Sequence, residues 1–138
     1  MQLVVRDLMQ TAPLTVPATT PLLELQHLLV VAQVSGVPVV DPDGEVVGIV
    51  SATDVLRATD QAFDEDRDAA EPDILVDRLR TLTARDLATP EVIWVSPEMP
   101  LARVAQRMRA DGIHRVLVGE SGRLEGILTA FDLLRGVT

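Results

Sequence analysis

Gly48-Ile49-Val50-Ser51-Ala52-Thr53-Asp54 recurs 78 residues on as Gly126-Ile127-Leu128-Thr129-Ala130-Phe131-Asp132. Each copy holds a glycine, two aliphatic residues, a hydroxyl and, three residues after the hydroxyl, a carboxylate. An aliphatic run that ends in Ser or Thr and is followed by an acidic residue marks a strand handing over to a helix. Gly44 recurs as Gly122 at the same offset. Further upstream the offset is 79, because the second copy lacks one residue in its turn. Val37-Pro38-Val39 falls on Val116-Leu117-Val118, Thr20-Pro21-Leu22 on Met99-Pro100-Leu101, and Arg6-Asp7-Leu8 on Arg85-Asp86-Leu87. A register kept along the whole of each segment marks an internal repeat.

Each half reads β-α-β-β-α after a short helical turn. The turns are Val5 to Met9 and Arg85 to Ala88, and the first β segments are Leu14-Thr15-Val16 and Ile93-Trp94-Val95. A helix follows with Pro21 or Pro100 near its first turn, where a missing N–H costs little. Leu101, Val104, Ala105 and Met108 recur at i, i+3, i+4 and i+7, so one stripe faces a core and Arg103, Arg107 and Arg109 face away. The counterpart, Leu22 to about Gln33, is apolar over most of its circumference and needs a further partner. Two β runs, 37–40 and 46–50, flank the turn formers Asp41-Pro42-Asp43-Gly44, and the runs 116–118 and 124–128 flank Gly119-Glu120-Ser121-Gly122. Short helices at 53–58 and 131–135 close the halves. The expected organisation is a first repeat over residues 1–58, an acidic linker over 59–83 ending in a helix docked on the second half, and a second repeat over 84–138. Asp60, Asp64, Glu65, Asp66, Asp68 and Glu71 make the linker a solvated run of like charge, while Ile74, Leu75, Leu79 and Leu82 have helical spacing.

The 138 residues carry 21 acidic and 12 basic side chains, for a net charge of −9. That balance repels nucleic-acid phosphates and anionic lipid alike, and no basic run offsets it, so neither nucleic acid nor a membrane is an expected partner. With 47% hydrophobic and 2% aromatic residues the core is aliphatic, and the length fits one domain or two fused half-domains. There is no cysteine, which excludes disulfides, thiolate metal sites and Cys nucleophiles. The longest apolar stretch, Leu28 to Ala32, falls far short of the roughly 18 residues of a membrane span, so the chain reads as soluble and cytoplasmic. No spacing pairs a nucleophile with a base and an orienting third group, and the chain is not read as an enzyme. His27 reads as a boundary histidine, and Met9, Met99 and Met108 as core gap fillers.

The joints at Ser51/Asp54 and Thr129/Asp132 carry two readings. In one, hydroxyl and carboxylate form a capping box that satisfies N–H groups of the helix's first turn. In the other, the helix N-terminus with its hydroxyl receives a phosphate or polar ligand, and the carboxylate accepts both hydrogen bonds of a ribose cis-diol.

The repeat, carried by Ser35-Gly36-Val37-Pro38-Val39-Val40-Asp41 and by residues 48–54, resembles a cystathionine-β-synthase (CBS) domain. Two copies resemble a CBS pair, or Bateman module. The resemblance implies an α+β fold of tandem repeats packed sheet to sheet about a pseudo-two-fold axis. It also implies a cleft between the repeats for an adenosine compound such as AMP, ADP, ATP or S-adenosylmethionine, with no required cofactor and no metal. By the same resemblance, Asp54 and Asp132 bind ribose, with the hydroxyls of Ser51 and Thr129 beside ribose and phosphate. The backbone around Leu14 and Ile93 edges the adenine, and Ser35, Gly36, Val37 and Pro38 line the cleft. His114-Arg115 falls where nucleotide-binding members carry a His-Arg pair facing phosphates. A guanidinium suits that place because it holds phosphate oxygens bidentately.

Two departures matter. Ser35-Gly36 stands where the second half has His114-Arg115, so the first half has fewer phosphate ligands. Trp94 stands in the position of Thr15, where it either stacks on a base or fills the site. The function expected is a regulatory module that senses an adenosine compound, forms a homodimer through the Leu22 to Gln33 helix and passes its output to a separate effector protein. The alternative is a non-catalytic dimerisation module whose cleft is empty or plugged by Trp94.

Overall fold

In a computed structural model, residues 2–34, 36–65, 72–90, 92–120 and 122–135 are described. The chain is α+β and runs α1 (Val5–Leu8), β1 (Gln10–Thr11), β2 (Val16–Pro17), α2 (Leu22–Ala32), β3 (Gly36–Val40), β4 (Val46–Ser51), α3 (Ala52–Glu65), α4 (Pro72–Thr81), α5 (Ala84–Leu87), β5 (Trp94–Val95), α6 (Leu101–Asp111), β6 (Arg115–Glu120), β7 (Arg123–Thr129) and α7 (Ala130–Arg135). It divides into two compact units, Leu14–Glu91 on the one hand and Met1–Pro13 with Val92–Thr138 on the other.

The Leu14–Glu91 unit holds a three-stranded sheet in the order β2-β3-β4, parallel then antiparallel. Alternation along β3 and β4 sends Val37, Val39 and Val50 into a core shared with Val16 and with Leu22, Leu25 and Leu29 of α2. Two expectations need correction here. The linker helix α4, expected on the second half, docks on α2 and α3 of this unit, with Leu79 and Leu82 against its core. Helical spacing says that a face is buried without saying against what, and the apolar circumference of α2 is what α4 partly covers. The helix begun at residue 53 does not stop at Ala58 either; α3 runs on to Glu65, well into the acidic run.

The other unit holds a four-stranded sheet in the order β1-β7-β6-β5, with α6 burying Leu101, Val104 and Met108 against Val95, Val116, Val118 and Leu128. Met9 and Met99 pack on the same core, as gap fillers should. The two-residue edge strand β1 has no counterpart in the sequence expectation.

Each repeat's opening segment is built into the unit that holds the other repeat's hairpin. In β1, Gln10 pairs with Ile127. The equivalent Thr89 exchanges two backbone hydrogen bonds with Ile49, N to O at 3.0 and 2.9 Å. Short helices steer both segments there, and their recurring Arg-Asp-Leu now has a cause. Asp7 Oδ2 accepts the Val4 N–H at 2.8 Å, and Asp86 Oδ2 accepts the Thr83 N–H at 2.8 Å, so each aspartate caps its own helix.

The same approach explains the glycine that opens the motif. A Cβ on Gly48 would lie 2.7 Å from the Thr89 carbonyl oxygen, and one on Gly126 would lie 2.7 Å from that of Gln10. The obstacle is backbone, which cannot swing aside. Gly48→Ala and Gly126→Ala are each expected to cost about 1–3 kcal/mol, the usual range for overpacking. Urea unfolding checks this, and wild-type stability in both variants would contradict it.

Candidate functional site

In the Leu14–Glu91 unit, β4 ends at Ser51 and α3 begins at Ala52, which leaves Ser51 at the head of the helix. Its Oγ accepts the Asp54 N–H at 3.3 Å. In return Asp54 Oδ2 accepts the Ser51 N–H at 2.8 Å and its hydroxyl at 2.9 Å. This is the reciprocal capping box. The remaining oxygen, Oδ1, accepts the Thr89 hydroxyl at 3.2 Å and lies 3.5 Å from Arg57 Nη1.

The other unit repeats the arrangement with a different outer partner. Thr129 Oγ1 accepts the Asp132 N–H at 3.3 Å, and Asp132 Oδ2 accepts the Thr129 N–H at 2.8 Å and its hydroxyl at 3.0 Å. The Gln10 amide then donates to both carboxylate oxygens, at 3.2 Å to Oδ1 and 3.3 Å to Oδ2, and Arg135 donates to Oδ1. Asp54 is 8% exposed and Asp132 only 1%. Both are buried carboxylates held by several donors each, which is the condition for burying such a group at tolerable cost.

The structure sorts the site residues named from the sequence into two sets, one per unit. Gly36 lies opposite Ser51 across the β3/β4 pair, with Val37 and Pro38 buried beyond it and Leu14 exposed ahead of β2. Arg115 lies opposite Thr129 across β6/β7, and the exposed His114 accepts the Ala130 N–H through its carbonyl at 2.9 Å. The Ile93 carbonyl accepts the Leu117 N–H at 2.9 Å. Ser35 lies outside the described residues. Trp94 is half-buried in β5, and a Cβ on Gly119 would lie 3.2 Å from its Cζ3, so the ring packs across the sheet at that glycine. His27 is exposed rather than at a core boundary.

Sequence reasoning missed Gln10, Thr89, Arg57 and Arg135 as partners of the aspartates. The repeat register relates them to one another, Gln10 to Thr89 at an offset of 79 and Arg57 to Arg135 at 78, but ties neither Gln10 nor Thr89 to its aspartate. Among the described residues no cluster of His, Cys, Asp or Glu could hold a metal ion, and no helix is long and apolar enough to cross a membrane. Near the exchanged segment, Glu98 accepts a hydrogen bond from Arg6 and raises the guanidinium's pKa above its ordinary value. Both partners are exposed, so the pair adds little to stability.

The sequence profile of the CBS domain matches residues 5–60 and 84–138. The chain belongs to the CBS domain family. This CBS chain is similar to subunit gamma-3 of human 5′-AMP-activated protein kinase, with 32% identity over 122 residues that cover 86% of this chain and 23% of that subunit. It spans 41% of the length of another curated relative, from Methanocaldococcus jannaschii. Among solved structures it is similar to the CBS domain of a CBS domain containing membrane protein from Sphaerobacter thermophilus, at 32% identity and a TM-score of 0.76, covering 97% of this chain and 87% of that one. It is also similar to CBSX2, whose crystal structure is a complex with AMP, at 29% identity and a TM-score of 0.77, covering 97% and 95%.

Proposed function

We propose that this chain is a regulatory, non-catalytic module that binds an adenosine compound (AMP, ADP, ATP or S-adenosylmethionine) and passes occupancy to a separate effector protein. The observation that carries the reading is the pair of strand-to-helix joints, Ser51/Asp54 and Thr129/Asp132, at one register position in both repeats. Each offers a hydroxyl and a carboxylate at a helix N-terminus, the groups that suit the phosphate and sugar of a nucleotide. The similarity to CBSX2, solved with AMP, supports it. Leu14, Ser35, Gly36, Val37 and Pro38 are the proposed lining on the Asp54 side, and Ile93, His114 and Arg115 on the Asp132 side.

A second reading, a dimerisation module whose joints take no ligand, draws on the internal saturation of Asp132. A homodimer belongs to either reading. Leu23, Val30 and Val31 stay exposed on α2, the last two at 76% and 68%, and a two-fold pairing of that helix would cover them.

Calorimetric titration with AMP, ADP, ATP and S-adenosylmethionine, with light scattering on the same samples, tests both points. At a hundredfold excess over Kd one occupied site should add about 2.7 kcal/mol to unfolding stability, and the scattering mass should be twice that of the chain. Silence across the panel would favour the dimerisation module, and a monomer at micromolar concentration would remove the dimer.

A further inference from the structure

The two joints have the same backbone and differ in one side chain. Gln10 and Thr89 are held by equivalent antiparallel pairing, to Ile127 and Ile49, and each aims its side chain at the aspartate of its unit. A carboxylate has about four lone-pair positions. At Asp132 they are filled by the Thr129 N–H and hydroxyl, by Arg135 and by a Gln10 amide that reaches both oxygens. The Asp132 side chain is wholly excluded from solvent. Among the described residues, outward partners reach Asp54 only at Oδ1, and one of these, Arg57 at 3.5 Å, stands at the limit of hydrogen-bond distance. The other is a hydroxyl. A hydroxyl can turn and accept from an incoming O–H while the carboxylate takes another, whereas the –NH₂ of a glutamine can only donate, and so competes with every donor a sugar brings.

We propose that Gln10 closes Asp132 to a ribose diol while Thr89 leaves Asp54 open to one, so that the sugar of the ligand is read at the Asp54 joint alone. This rests on the adenosine-binding reading above. Gln10 and Thr89 act through the aspartates and are positioning residues. Phosphate contacts at His114 and Arg115 are a matter of charge and do not enter it.

The two side chains can be exchanged to test this. AMP and 2′-deoxy-AMP are titrated into wild type, Gln10→Thr, Gln10→Ala and Thr89→Gln, counting the sites at which AMP binds more tightly than its deoxy analogue. Wild type should show one such site, with a preference of about tenfold, the worth of a hydrogen bond to a charged acceptor. Gln10→Thr and Gln10→Ala should each create a second, and Thr89→Gln should abolish the first. A loss of stability in any variant would not alter the ratio between the two nucleotides, so the ratio reports the gate and not the fold. Discrimination surviving in Thr89→Gln, or a count still at one in both Gln10 variants, overturns the inference and leaves the adenosine reading standing. Failure of wild type to bind either nucleotide overturns both.

Discussion

Asp132→Ala is expected to lower the unfolding free energy by about 2–4 kcal/mol. The cap itself is worth about 1 kcal/mol, and the rest comes from leaving the part-buried N–H and hydroxyl of Thr129 and the Gln10 amide without their acceptor. The side chain sits in a 1% exposed position, where water cannot readily replace what is removed. Asn keeps one acceptor oxygen and should recover about half of the loss. Denaturant unfolding of the two variants measures it. A change below about 0.5 kcal/mol in Asp132→Ala would show that the carboxylate's donors find other partners, and the description of this joint as a saturated cap would fail.

Asp54→Ala should act chiefly on ligand and not on fold. On the adenosine-binding reading it removes the acceptor of the ribose hydroxyls, and AMP should bind more weakly by about 1.5–3 kcal/mol, a loss of roughly ten- to a hundredfold. Stability should fall by about 1 kcal/mol, the ordinary value of a lost helix cap. Titration and unfolding on one protein sample separate the two roles of this residue. Unchanged AMP affinity beside a 1 kcal/mol loss of stability would make Asp54 a cap and nothing more.

The two effects differ although the sequence makes the joints look alike. Repeat register and the hydroxyl-to-carboxylate spacing are local patterns, and from them the hairpins, the helix starts and both capping boxes were legible. What the local pattern could not supply is the identity of a partner far along the chain. Thr89 reaches Asp54 across 35 residues and Gln10 reaches Asp132 across 122, and no periodicity connects either pair. The docking of α4 escaped for the same reason: Leu79 and Leu82 declare a buried face but not its neighbour. The edge strand β1 is two exposed residues long, too short for alternation to show. Gly48 and Gly126 were visible as a repeated letter, yet their cause, a carbonyl from the exchanged segment, lies outside the motif.

That exchange of segments also sets an order of events for a chain emerging from the ribosome. The Leu14–Glu91 unit is continuous, and its most distant hydrogen bond to an aspartate closes within 35 residues, so it has all its parts while the rest is still being translated. The other unit keeps its first thirteen residues waiting until β7 arrives, with a contact 122 residues long to complete. Distant contacts form slowly, and an unpaired strand edge that must wait is open to the wrong partner. The nascent protein therefore carries one finished unit and one unfinished one while residues 92–129 are being added, and a chaperone that shields α1 and β1 would protect the later unit, not the earlier.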